Sequence, residues 1–554
     1  MYAAFGVAVG AKVGVYTACE PCRENPERAP FWQVKAERVI QNGETKTIRL
    51  ERARFELFGL PIAYLPYLEI PDHTKKRKTG FLRPSYSSSD TLGHAVTVPF
   101  YVAISPYMDA TFTGTWFSKQ GFLGEAEFRR NFANGEVTLK MAGISQRKPG
   151  EFVANTADAL EVQRGMIASS GEFRINPRWT FGWNIMLESD PSFAQTYDIT
   201  GFDDDRQKSE IYLTGLGKRN YFDMRAFWVD IRDGRIYDGT DLTYGNDPSY
   251  LGSEMADFRE DREARVHPVI DYNKIFSQPV AGGELSLDVN AQSISRKREY
   301  VVDGIYRGLE GENERLTAEV EWKRTFTTDA GLRLTPLLAA RGDLRHFDTT
   351  STPSMLYSDE TASRGMLTAG VEASYPILAT AGSSTHVFER IAQVFVRNDE
   401  DIAGGLPNED AQSFVFDATS LFERDKFSGY DRIEGGTRAN VGFRYTGTFE
   451  NGVTTNAIFG QSYQLAGLNS FAVDSLTYAG NNSGLEDDVS DVVGQVGIQL
   501  PIGVGLSAGA RFDKDDFSVQ RTDVTASFTH ESLTGSVTYS NIKAQREVNT
   551  AGYG

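Results

Sequence analysis

The sequence predicts an all-β chain: a large antiparallel transmembrane β-barrel preceded by the end of a smaller β-domain. Three observations predict it. From Gly80 onward a two-residue period keeps returning, with apolar residues on one parity and charged or small polar residues on the other. No uninterrupted run of about 18 strongly apolar residues is present to make a membrane helix. The mean hydropathy is −0.37, a value a spanning barrel tolerates because lipid-facing and lumen-facing residues alternate along every strand.

Residues 1–72 read as the tail of a soluble all-β domain with its connector. Val7, Val9, Val13 and Val15 share one parity, as do Trp32, Val34 and Ala36, and Ala53, Phe55 and Leu57. Residues 1–18 have no basic opening and Lys12 interrupts their apolar run, so they do not read as a signal peptide. An exported protein lacking that signal is expected to be a fragment. Residues 58–67 contain Pro61 and Pro66 and are expected to form a rigid connector outside regular pairing. Cys19 and Cys22, the two cysteines, stand in a lone C-x-x-C, a weak zinc signal without a βαβ setting for redox chemistry. A structural disulfide in an oxidising compartment and a plain thiol pair both remain open.

Residues 73–554 are assigned to the barrel. Its rim opens with the block Lys75, Lys76, Arg77 and Lys78, read either as a solvated edge or as an attractor for anionic groups. Pro84 and Pro99 fall inside the first two strands. Proline cannot donate to a ladder, so two in adjacent strands mark a weak sheet edge. Farther on, Phe122, Gly124, Ala126 and Phe128 alternate with Glu125, Glu127 and Arg129, with Leu123 off pattern. Leu316, Ala318, Val320 and Trp322 alternate with Thr317, Glu319, Glu321 and Lys323. Residues 492–510 lack charges and read as two strands around a turn near Pro501. At about 10 residues per strand the region holds on the order of 20 strands. No blade-length repeat supports a propeller, and Trp116, Trp228 and Trp322 suit interfacial girdles.

Residues 416–445 break the pattern. Their first half is too charged and turn-rich for a membrane strand, yet it carries Leu421, Phe422, Phe427 and Tyr430. A loop with that aromatic content packs against something. Asp417, Asp425, Asp431 and Arg432 are suited to fix it by charge-assisted hydrogen bonds.

The net charge of −18 argues against nucleic acid as a partner. The six histidines show no metal-ligand spacing, and neither G-x-S-x-G nor H-E-x-x-H occurs. No enzyme activity, metal or cofactor is expected.

Several motifs are similar to those of the outer-membrane lipopolysaccharide-assembly family LptD, of the alphaproteobacterial type. They are Arg77-Lys78-Thr79-Gly80-Phe81-Leu82-Arg83-Pro84, then Pro99-Phe100-Tyr101, then Ser105-Pro106-Tyr107-Met108-Asp109-Ala110-Thr111, then residues 121–129. The loop resembles that family's signature, marked here by Asp417, Leu421, Phe422, Phe427, Gly429, Asp431 and Arg432, with Ser420 where the family usually has Asn. Gly460-Gln461-Ser462-Tyr463, Ser490-Asp491, Arg164-Gly165, residues 189–197 and His386-Val387-Phe388-Glu389 also fit. After the last of these the family often has proline where Arg390 stands, which leaves the geometry of a turn there open. The resemblance covers nearly the whole chain and is strongest around residues 61–130 and 413–465.

The resemblance implies a lipopolysaccharide translocon. A periplasmic OstA-like jellyroll, whose last part is residues 1–72, would receive the lipid. Its acyl chains would pass sideways through a barrel seam into the outer membrane while its sugar crosses the lumen. Pro84 and Pro99 would form that lateral gate, since the family has two prolines at the same spacing. The implied partners are lipopolysaccharide, the plugging lipoprotein LptE, the bridge protein LptA, the barrel-assembly machinery and outer-membrane lipid. This substrate is anionic, and acidic residues in outward loops are read as holders of divalent cations that bridge its phosphates. A passive porin or another substrate-specific outer-membrane transporter is the alternative. The family's barrel has about 26 strands, more than counted here. The chain is therefore expected to lack the first part of the jellyroll and the last barrel strands, leaving a curved sheet with a gap.

In the family the jellyroll cysteines bond to cysteines near the barrel's C-terminus, which this chain lacks. Cys19 and Cys22 are therefore expected to pair with each other after export. Thiol alkylation of the exported protein checks this, and two freely labelled cysteines would sink the idea.

Overall fold

The computed structural model describes residues 8–16, 32–42, 47–57, 60–71, 77–232 and 261–543, apart from 155, 303–304, 352, 354–355, 358–359, 401, 413, 473–475 and 532. The chain divides into two compact units, residues 1–152 with 161–167 and residues 153–160 with 168–554.

In the first unit, β1 (Ala8–Tyr16), β2 (Trp32–Asn42), β3 (Thr47–Leu57) and β4 (Leu60–Pro71) form an antiparallel meander in chain order. Its core is Val34, Ala36, Leu50 and Ala53, with Phe55 packed against it. The expected rigid connector is corrected: residues 60–71 are a paired strand. Because β4 is the sheet's edge, a proline there forfeits no ladder bond on its open side. The large sheet then begins with β5 (Gly80–Phe81), β6 (Ser85–Ser89), β7 (Gly93–Ser105), β8 (Met108–Phe117), β9 (Gly121–Phe132) and β10 (Gly135–Ser145).

The strand β11 (Gln163–Asn176) is shared between the units. The second unit continues with β12 (Trp179–Glu188), β13 (Arg206–Leu216), β14 (Asn220–Ile231), β15 (Arg265–Ile275) and β16 (Glu284–Arg296). A separate ribbon follows, β17 (Tyr300–Val302) with β18 (Ile305–Gly308). Then come β19 (Gly311–Lys323), β20 (Phe326–Thr327), β21 (Arg333–Asp348), β22 (Thr361–Ala381) and β23 (Ser384–Arg397). The last are β24 (Thr437–Thr448), β25 (Thr454–Ala466), β26 (Val492–Gln499), β27 (Val504–Phe512), β28 (Val519–His530) and β29 (Leu533–Ile542). The turn expected near Pro501 separates β26 from β27.

The large sheet has 23 strand segments, and its strand order is that of a closed barrel. The expected gap is corrected. An open edge in hydrocarbon would leave a row of backbone donors and acceptors unsatisfied, and this order removes the edge. Nor is there a turn at Arg390, which lies inside the continuous strand β23. Among the described residues no helix is long and apolar enough to cross a membrane.

The faces of the wall are inverted relative to a water-soluble sheet. On β21, Leu338 and Leu344 are 57% and 59% exposed while Arg341, Asp343 and Arg345 are buried. On β24, Val441 is exposed and Arg438 and Asn440 are buried. The off-pattern Leu123 is buried on the inner side of β9. Trp116 is exposed, and the indole of Trp322 donates to the Val280 carbonyl at 2.7 Å. An apolar outer face and a polar inner face suit hydrocarbon outside. In the second unit the connections alternate long and short. Residues 349–360, 398–436 and 467–491 join strands at one end, and residues 382–383, 449–453 and 500–503 at the other.

Leu338→Arg should therefore lower stability by about 2–4 kcal/mol in phospholipid vesicles. On a water-exposed surface the same change would move it by only about 0.5 kcal/mol. Denaturant unfolding of the vesicle-inserted protein measures the difference.

Candidate functional site

Two places concentrate the residues singled out in the sequence, one in each unit. In the first unit, Pro84 lies inside an interruption of the ladder between β5–β6 and β7, and Pro99 stands at the margin of that interruption, opposite Leu82. Gly80 pairs with Tyr101 and Phe81 with Phe100. Pairing resumes only at Ser85 with Thr97. Between them Leu82 N–H donates to the Pro99 carbonyl at 2.9 Å, and neither proline has an N–H to offer. All five residues of β6 are exposed, so this short strand gains little from packing. Its side-chain ties include the Tyr86 hydroxyl and the Ser88 hydroxyl against His94 Nδ1, at 2.8 and 3.3 Å.

Beside this break stands an ionic cluster that the sequence reading missed. Asp109, 2% exposed, receives Arg77 at 3.1 Å, Arg129 at 2.8 Å and the Tyr101 hydroxyl at 3.2 Å. Arg77 also donates to the Pro106 carbonyl at 3.2 Å, and Lys78 pairs with Glu69 at 2.7 Å. These two cations of the basic block are thus engaged with the protein's own acceptors. Lys75, Lys76, Cys19 and Cys22 lie outside the described residues.

In the second unit, residues 398–436 between β23 and β24 fold back across the inner face of the wall. Asp431, 1% exposed, is the hub. One carboxylate oxygen accepts from Arg345 on β21 at 2.5 Å and from Arg315 on β19. The other accepts the Glu409 and Asp410 N–H groups at 2.5 and 3.1 Å. The carbonyl of Tyr430 accepts from Arg341 at 2.5 Å and from Arg364 at 3.0 Å. Those two guanidiniums are themselves held by Asp343, at 3.0 and 2.8 Å. Arg296 on β16 grips Glu409 with two bonds of 2.8 and 2.6 Å. Burial disfavours the charged form of Asp431, but Arg345 and Arg315 overcome it and hold the carboxyl well below the usual carboxylate range. Burial pushes Lys426 down to about 8, with Glu434 opposing.

The other signature residues divide by task. Asp417 closes a local turn, accepting the Thr419 and Ser420 N–H groups at 2.8 and 3.2 Å. Arg432 donates to the Leu406 carbonyl at 2.9 Å. Gly429 has a φ of +69°, and a Cβ there would lie 2.4 Å from Asp410, so only glycine suits. Leu421 and Phe427 join Phe416, Phe471, Leu485 and Val493 in a buried apolar cluster, with Phe422 against it. The rings of Phe427 and Phe471 stack at 4.4 Å. Phe471 and Leu485 belong to the next long connection, residues 467–491, so the two loops share one core.

Gly442 and Gly460 pair across β24 and β25 and form the notch that admits this cluster. A Cβ on Gly442 would meet Phe422 at 2.9 Å and one on Gly460 would meet Leu421 at 2.7 Å. Small residues on the inner parity of adjacent strands were the available signal. Among the described residues no group of three His, Cys, Asp or Glu side chains is placed to hold a metal ion. Most of the acidic stretch 238–262 lies outside the described residues.

The family model for LPS transport system D, LptD, matches residues 162–553, and a second LptD model matches residues 50–212. The LPS-assembly protein LptD of Idiomarina loihiensis is 39% identical over 120 residues, 21% of this chain and 16% of that protein. That of Actinobacillus pleuropneumoniae serotype 5b is 26% identical over 261 residues, 45% of this chain and 32% of that protein. The chain thus spans less than a third of the length of either relative. The outer-membrane receptor FauA of Bordetella pertussis aligns over 91% of this chain and 83% of its own at 8% identity. Its TM-score is 0.23, too low to bear on function.

Asp431→Asn should release residues 398–436 from the wall, because Arg345 would keep a buried charge with no carboxylate and Arg315 would be left with Asp410 alone, a loss of about 3–5 kcal/mol. Limited proteolysis should then cut the loop while heat-shifted gel mobility shows the strands still folded. The depressed carboxyl also sets a pH dependence. Its contribution is complete above the ordinary value of about 3.9 and fades only as pH falls through the lower folded value. The wild-type loop should therefore stay protected at pH 5, and cleavage there as rapid as in the variant would contradict this placement of the charge.

Proposed function

The chain belongs to the LPS transport system D family, and from that membership we propose that it works as a lipopolysaccharide translocon with a lateral gate at Pro84 and Pro99. It is an outer-membrane β-barrel protein. The observation that carries the gate is the ladder break at residues 82–84, which contains Pro84 on one strand and borders Pro99 on the next. Each missing donor forfeits about 0.5–1.5 kcal/mol of net hydrogen bonding. In hydrocarbon no water replaces such a bond, so a wall parts most easily where its ladder is already thin. The acyl chains leave there and the sugar follows the polar inner face.

The meander of β1–β4 is read as the end of the periplasmic jellyroll that delivers the lipid, with LptA as the bridge behind it and LptE as the plug. The barrel-assembly machinery inserts the wall. The end carrying the short turns faces the periplasm, in keeping with the usual asymmetry of outer-membrane barrels. The loop anchored by Asp431 then lies toward the cell exterior, where it covers the sugar's route. A porin is not favoured, because the family match names lipopolysaccharide transport. No bond is made or broken.

Replacing both Pro84 and Pro99 with residues that can donate, such as valine, should restore ladder bonds. In cells depending on the complete protein, surface lipopolysaccharide should fall several-fold while heat-shifted gel mobility stays that of wild type. Normal export by the double variant would return both prolines to the role of ordinary strand irregularities.

A further inference from the structure

A groove of about 650 Å³ lies on the apolar outer side of the second unit's wall. Tyr375, Ala392, Val441, Phe443 and Phe459 line it, and Arg390 stands among them. Arg390 belongs to the outward parity of β23. The inward neighbour Glu389 is engaged at 3.2 Å by Arg444 and at 3.8 Å by Arg333. No carboxylate lines the groove. Among the described residues nothing forms an ion pair with Arg390. A cation facing hydrocarbon without a counter-ion is costly, and the wall compensates it nowhere.

The surroundings locate it. Arg390 pairs directly with Tyr375 on one side and Phe443 on the other. Just beyond, Phe388 meets Tyr445 at 5.0 Å and His386 meets Phe449 at 5.2 Å. This aromatic group lies toward the short turns 382–383 and 449–453. Such groups sit at headgroup level, and a long arginine reaches its charge to that level while its stem stays apolar.

We propose that this groove is a phospholipid site: the acyl chain lies along Val441 and Phe459, and the lipid phosphate pairs with the Arg390 guanidinium. The phosphate supplies the missing counter-charge, and guanidinium suits phosphate because its planar fork donates two parallel bonds. The site belongs to the leaflet at the short-turn end. The choice of phospholipid over lipopolysaccharide rests on the sidedness given above, which makes that leaflet the periplasmic one.

The test uses the full chain, folded in detergent, delipidated and titrated with phosphatidylglycerol under native mass spectrometry. One saturable lipid is expected, with affinity falling about tenfold in Arg390→Gln, as loss of one charge-assisted contact implies, and only partly recovered in Arg390→Lys, whose ammonium keeps the charge but lacks the fork. Should Arg390→Gln not fold, a photoreactive residue at Ala392 in the otherwise unchanged chain must cross-link phosphatidylglycerol. Equal affinity in Arg390→Gln, non-saturable binding, no cross-link, or preferential capture of purified lipopolysaccharide would each overturn the assignment. A failure of the proline gate changes export and leaves this binding untouched, so the two readings fall separately.

Discussion

In hydrocarbon every backbone N–H and C=O must find its partner within the protein, because no water is present to take its place. That constraint explains the long paired registers from β12 to β16 and from β21 to β29, broken only by local bulges. It also gives meaning to the place where the ladder thins. A break of three residues would pass unremarked in a soluble sheet. In a membrane wall it is a weak line, and a proline on each of its two strands keeps it weak.

The inner face obeys a different economy of charge. Arg315, Arg341, Arg345 and Arg364 would repel one another on a bare wall, and each is buried. Asp343 and Asp431 lie between them, one contributed by the wall and one by the loop. Desolvated pairs of this kind add little net stability over apolar packing, but removing one partner is severe. Their effect is to select a single docked position for residues 398–436. The apolar cluster of Phe416, Leu421, Phe427 and Phe471 then closes the second long connection over the first, so loop docking and loop packing support each other.

The outer face carries an exception to its own rule. Alternation places one cation, Arg390, where the neighbouring strands present only apolar and aromatic groups.

Much of this was legible in the residues themselves. Side-chain direction in a strand alternates with certainty, so the inward Arg438 and outward Val441 could be read from parity alone, as could the paired strands around Pro501. The packing of residues 416–445 was legible too, because four large apolar side chains cannot remain in water without cost. Other features depended on neighbours distant in sequence. Pro61 and Pro66 signal broken pairing until β4 is known to be an edge. Asp417 and Asp431 look alike in sequence, yet one closes a local turn and the other is clamped by arginines from β19 and β21. Gly442 and Gly460 are unremarkable until register sets them side by side beneath Leu421 and Phe422. Composition and period determine which face a residue occupies. Only tertiary structure decides which partner it meets there, because register and loop docking bring together groups that sequence spacing holds far apart.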